Sequence, residues 1–163
     1  MPGRKRSRNA IRRWRQLHAD IKRAIAGLRA RDLDRRSGDE GMSIRETVHH
    51  LVEANLVASS MIILALAKSG SVYDWSWLYP DAAWTRSVGY NAAPLRPVLA
   101  TLEALSEHIA GLIERSPGSL ARSVQLLDAP GAKLYSKTVE EILWQEVEHA
   151  EEHLRDVAAI RSA

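Results

Sequence analysis

Near its C-terminal end the chain carries VEHAEEHLRD (147–156), in which His149 and His153 stand four residues apart. On an α-helix that spacing separates two side chains by about 40° in direction and about 6 Å in height, so both imidazoles can address one ion. Two histidines also share a helix edge by chance, and the spacing alone leaves both readings open. A zincin needs glutamate directly after the first histidine, and Ala150 stands there. The string from His149 to His153 does match the inverzincin form His-x-x-Glu-His. Only ten residues follow His153, so that match is expected to be accidental and the missing ligand is expected upstream.

Four other histidines are available: His18, His49, His50 and His108. Apolar residues at three- and four-residue steps predict four helices, over about 9–30, 43–68, 94–115 and 138–160. Ser43 followed by Glu46 is a capping box and sets the start of the second. On its wheel His50 falls at the edge of the apolar face made by Ile44, Val48, Leu51, Ala58 and Ile62. His49 is turned about 100° away and is expected to face solvent. On the fourth helix His149 and His153 also sit beside the apolar stripe. Three imidazoles would leave one coordination position open, as catalytic zinc sites do. His18 and His108 have no partner at ligand spacing.

Glu146 is the carboxylate best placed beside the pair, about 60° from His149 and about 20° from His153 on the wheel. It could orient an imidazole, act as a base or add a fourth ligand, and a partly exposed helix carboxylate would look the same. Glu46 is first a capping residue. Glu151 and Arg155 project away.

A chain of 163 residues suits one domain with a single sizeable core. Two long connections, 70–93 and 116–137, separate the helices, and the second contains a short candidate extended piece, SVQLL. The predicted fold is therefore all-α: a four-helix bundle with long crossovers over residues 9–163, behind a basic tail at 1–8. Bundles place metal and ligand sites between facing helices. The longest apolar run, MIILALA (61–67), is too short to span a bilayer and reads as a buried helix segment. No membrane contact is expected, and the basic opening does not read as a signal peptide. The absence of cysteine excludes disulfides, thiolate ligands and a cysteine nucleophile, and makes the cytoplasm the default compartment.

The net charge of +3 is concentrated at one end. Residues 1–15 hold seven Lys/Arg and no acid, and the remainder has 16 basic against 20 acidic residues. A basic arm without a recognisable binding fold behind it is read as solvated, so nucleic acid is not expected as a partner.

SIRETVHHLVEANL (43–56) resembles the second-helix signature of the DinB/YfiT-like superfamily, and TVEEILWQEVEHAEEHLRDV (138–157) resembles its C-terminal His-x-x-x-His helix. DLDRRSGDEGMSIRE and WTRSVGYNAAPLRPVLATLEALSEHI extend the resemblance over about residues 17–160. It implies a four-helix bundle, often dimeric, with a divalent ion, zinc or nickel, held by His50, His149 and His153. It also implies a small-molecule substrate, acted on by hydrolysis or by transfer of a low-molecular-weight thiol such as mycothiol, bacillithiol or glutathione. Some relatives carry an acid where this chain has Asn55, and others more histidine where it has Gln145 and Glu152.

Two function classes follow. One is a metal-dependent transferase or hydrolase. The other is a non-catalytic stress-response or oligomerisation bundle whose metal is structural. Six of the nine Trp and Tyr residues lie in 73–90. Trp75, Trp77, Tyr79, Trp84 and Tyr90 could wall a substrate pocket, or pack the crossover and a dimer face.

Overall fold

A computed structural model describes the backbone of residues 2–78 and 81–163, with side chains from residue 9 onward in those ranges. In chain order the elements are α1 (Pro2–Ile25), α2 (Ala30–Leu33), α3 (Ile44–Ala67), β1 (Ser71–Asp74) and α4 (Ala82–Ser87). Then come α5 (Leu95–Arg115), a 3₁₀ turn (Ser119–Ala121), β2 (Ser123–Leu127), β3 (Tyr135–Thr138) and α6 (Val139–Ser162).

The long helices α1, α3, α5 and α6 make the bundle, and α1 and α3 each pack against both α5 and α6. Their inward residues form two stacked apolar layers. One joins Leu17 and Ile21 to Val48, Val52, Leu102 and Val147. The other joins Trp14 to Ala58, Ile62, Ile109, Ile113 and Leu143. Read together, the layers show that α3 and α5 run the same way while α1 and α6 run opposite. Parallel neighbours need a long connection, which is why residues 68–94 are so extended. Trp14 is fully buried and its indole donates to the Ser106 carbonyl at 3.3 Å; removing such a side chain costs about 3–5 kcal/mol.

The helix starts follow local chemistry. Ser43 and Glu46 form the capping box expected of α3: Glu46 N–H donates to Ser43 Oγ at 3.2 Å and Ser43 N–H to Glu46 Oε2 at 2.7 Å. Thr138 and Glu141 build the same device at α6. Helix α1 ends at Ile25, short of the predicted residue 30, because Gly27 takes a left-handed φ of 77°. At its other end α1 reaches back to Pro2, so the segment read as a basic tail continues the helix. α3 is long and apolar enough to cross a membrane by composition; here it is the core helix, with one side buried from Ile44 to Ala65.

The crossovers are more ordered than a bundle reading predicts. β1 pairs parallel with β2, Ser71 opposite Val124, and β2 pairs antiparallel with β3, Ser123 opposite Thr138. SVQLL is the middle strand. Val124 and Leu126 point into the bundle, so the small sheet covers the end of α3.

Candidate metal centre

His50 on α3 and His149 and His153 on α6 meet where the two helices pack. Each offers a ring nitrogen within 4.8 Å of the others, and ring centroids lie 4.7–5.0 Å apart. The Nε2 atoms of His50 and His149 approach to 3.1 Å. Two nitrogens on one tetrahedral zinc would be about 3.3 Å apart, given zinc–nitrogen bonds of about 2.05 Å. His50 is 4% exposed; His149 and His153 are partly open, with side chains 29% and 23% exposed.

Protonation suits ligation. Burial, then the neighbouring His149 and His153, push His50 down to about 3. Burial and His149 also lower His153. Neutral imidazoles are what a metal requires. A ligating imidazole turns its other nitrogen toward a carboxylate or carbonyl. Glu146 Oε2 lies 4.0 Å from His149 Nδ1, and Asp156 Oδ2 lies 3.8 Å from His153 Nδ1. The Nδ1 of His50 is buried without a hydrogen-bond partner. The donor set, the lowered pKa of His50 and His153 and the carboxylates behind two of the rings all fit a divalent ion.

Beside the cluster lies a cavity of about 240 Å³. His50, His149 and Glu146 form one wall; Val57, Met61, Leu126 and Ile142 make the body apolar. Glu53, one turn beyond His50 on α3, also lines it.

No established family profile matches the chain. Sequence relatives include a "putative metal-dependent hydrolase" of Geobacillus thermodenitrificans, 28% identical over 110 residues, or 64% of this chain and 59% of the relative. The match thus spans less than two thirds of that relative's length. A second protein so described, from Geobacillus kaustophilus, is 25% identical over 150 residues, covering 90% of this chain and 79% of its own. Among solved structures, YfiT from Bacillus subtilis is described as "a probable metal-dependent hydrolase with an unusual four-helix bundle topology". It superposes with a TM-score of 0.80 at 21% identity, over 94% of this chain and 85% of that one. The chain has the YfiT-like four-helix-bundle fold.

In this four-helix bundle the aromatic crossover divides its labour. Trp75, just after β1, lines the cavity, held by its backbone N–H to the Leu127 carbonyl at 3.0 Å. Trp84 and Tyr90 stop short of it. The Trp84 indole donates to Glu53 Oε1 at 2.8 Å. The Tyr90 phenol is raised by burial and by the Glu53 charge. Trp77 is 56% exposed; its indole caps the Asp74 carbonyl, so it contributes no cavity wall. Tyr79 lies outside the described residues.

Two other residues depart from expectation. His49 does not face solvent: it is 7% exposed, stacked on Tyr90 at 4.8 Å, with Nε2 at 3.3 Å from the Ala93 carbonyl. The chain leading into α5 folds over it, which a wheel of one helix cannot register. Glu53 was missed, although its i+3 spacing from His50 put both on one face.

Proposed function

We propose that the protein is a metal-dependent hydrolase of a small, largely apolar molecule. The observation that carries this reading is three buried or half-buried imidazoles converging at the wall of an apolar cavity. A divalent ion held there, zinc or nickel by the all-nitrogen donor set, would supply Lewis acidity and bring a water's pKa down to about 7. His50, His149 and His153 would hold it. Glu146, with Oε2 on the Nδ1 side of His149, is the carboxylate placed to orient that ring and to take up a proton in the cavity. The apolar walls seat the substrate body and exclude water.

Thiol-dependent transfer is the competing chemistry of the same site. The cavity lining carries two carboxylates, Glu53 and Glu146, and no lysine or arginine, which disfavours an anionic carrier such as glutathione. A cytoplasmic homodimer belongs to the same proposal: Leu56 and Ile63, nearly half exposed on the outward stripe of α3, would be covered in it.

The test has two arms. Tag-free protein is assayed for metal by elemental analysis, as wild type, His50→Ala and His149→Ala. About one ion per chain in the wild type and almost none in the variants is expected. Metal-loaded wild type is then screened against small esters and amides, with and without added thiols. Turnover that requires a thiol would replace hydrolysis by transfer; a loaded protein inert in every arm would leave the structural-metal reading.

A further inference from the structure

The cavity contains one group for which the hydrolytic reading has no use. Glu53 Oε1 is fixed by the Trp84 indole at 2.8 Å and the Tyr90 phenol stands beside the carboxylate, but Oε2 is buried without a hydrogen bond. No lysine or arginine stands among the lining residues to answer it. Two other buried or half-buried carboxylates face arginines instead: Glu46, whose Oε1 also lacks a hydrogen bond, lies between Arg36 and Arg86, and Asp20 is met by Arg13 and Arg23. An unanswered carboxylate oxygen in an apolar pocket is costly unless a ligand completes it.

Taking this cavity as the substrate site, we infer that Glu53 is an anchor for a protonated amine, and that the substrate class is a small apolar molecule bearing a primary ammonium group. An ammonium brings N–H donors and a compensating charge, and a charge-assisted bond is the strongest kind the site can offer. The Trp75 ring on the same wall favours a cation near its face. Glu53 follows His50 by three residues, about 4.5 Å along the helix axis. The ammonium would thus sit a few bonds from the group held at the imidazoles, as in an amide or ester of an apolar amino acid. The remaining body would lie against Met61, Leu126 and Ile142. Anionic substrates, phosphate esters and carboxylates among them, are excluded by Glu53 and Glu146 together.

The anchor is testable by binding alone. Calorimetric titrations of the full chain, as purified and again after chelation, would compare phenethylamine with 2-phenylethanol and 3-phenylpropanoate. The amine should bind at least about tenfold more tightly than the alcohol, the order of one charge-assisted hydrogen bond, and the acid should not bind. Glu53→Gln should erase the amine's advantage while leaving the alcohol's affinity unchanged, and Glu146→Gln should reduce it less. Equal affinity of amine and alcohol, no binding of either at millimolar concentration, or an amine preference that survives Glu53→Gln would each overturn the inference. Because the chelated arm needs neither metal nor turnover, the outcomes separate. Glu53-dependent amine binding in a protein without hydrolytic activity sinks only the hydrolase reading. Hydrolysis indifferent to an amine sinks only the anchor.

Discussion

The two sides of α3 both bury polar atoms that find no partner, and they differ in what surrounds those atoms. On the side toward α6, His50 Nδ1 is unpaired, but its ring meets two more imidazoles and opens on a cavity. About 140° around the helix, Asn55 is 1% exposed with neither Oδ1 nor Nδ2 hydrogen-bonded, and Ser59 Oγ one turn on is likewise unpaired. Neither Asn55 nor Ser59 lines the cavity. An unpaired buried polar atom is thus a poor marker of function by itself. Convergence with other donors on a cavity is what separates a site from a flaw in the core.

Four experiments would break or sharpen that contrast, beginning with the largest effect. Zinc in excess should stabilise the wild type by several kcal/mol, since a ligand at a thousand times its Kd contributes about 4 kcal/mol. Thermal unfolding with and without zinc should show that gain in Asn55→Leu and lose it in His50→Leu. The opposite pattern would mean that the two sides have been assigned the wrong way round.

Acid comes next. The folded pKa of His50, about 3, lies below the ordinary histidine value of about 6.5. The unfolded chain therefore binds more protons between those limits, and stability falls as pH drops through that window. Metal-free wild type should lose a few kcal/mol from about pH 6.5 toward pH 3. His50→Leu should flatten the urea-measured slope; Asn55→Leu should leave it unchanged.

Glu46 supplies an intermediate case, buried on the same helix with Oε2 answered by Ser43 N–H at 2.7 Å and by Arg36 at 3.5 Å, while Oε1 has no hydrogen bond. Glu46→Ala removes half a capping box and a buried carboxylate, and should cost about 2 kcal/mol by urea unfolding. No measurable cost would mean that the box does not order the start of α3. The smallest effect belongs to Asn55→Leu, which should lie within about 1 kcal/mol of the wild type or above it, because an unsatisfied amide leaves and an apolar group replaces it. A loss above about 2 kcal/mol would show that a buried water satisfies Asn55 and Ser59.

Much of this frame was legible from spacing. Residues that repeat at three and four steps report the face a helix must bury, and a Ser-x-x-Glu start reports its own first turn; both are local. Three histidines at the edges of two apolar stripes could be named for the same reason. The sheet was hidden because its partners are remote: Ser71 pairs with Val124, and four-residue strands carry almost no period of their own. His49 was misjudged because Tyr90 and Ala93 cover it from another element. Glu53 shared a helix face with His50 in plain view, but only the cavity and the Trp84 indole distinguish it from an ordinary solvent-facing glutamate.

The small sheet has a consequence for how such a protein can diversify. Leu126 on β2 lines the cavity, and β1, paired to β2, holds Trp75 in place from a crossover some fifty residues earlier. Both lie outside the two helices that carry the imidazoles. Insertions or exchanges in either crossover can therefore reshape the chamber while the ligand-bearing helices stay unchanged. Selection for a new substrate should accumulate first in 71–78 and 123–138, with α3 and α6 altered last.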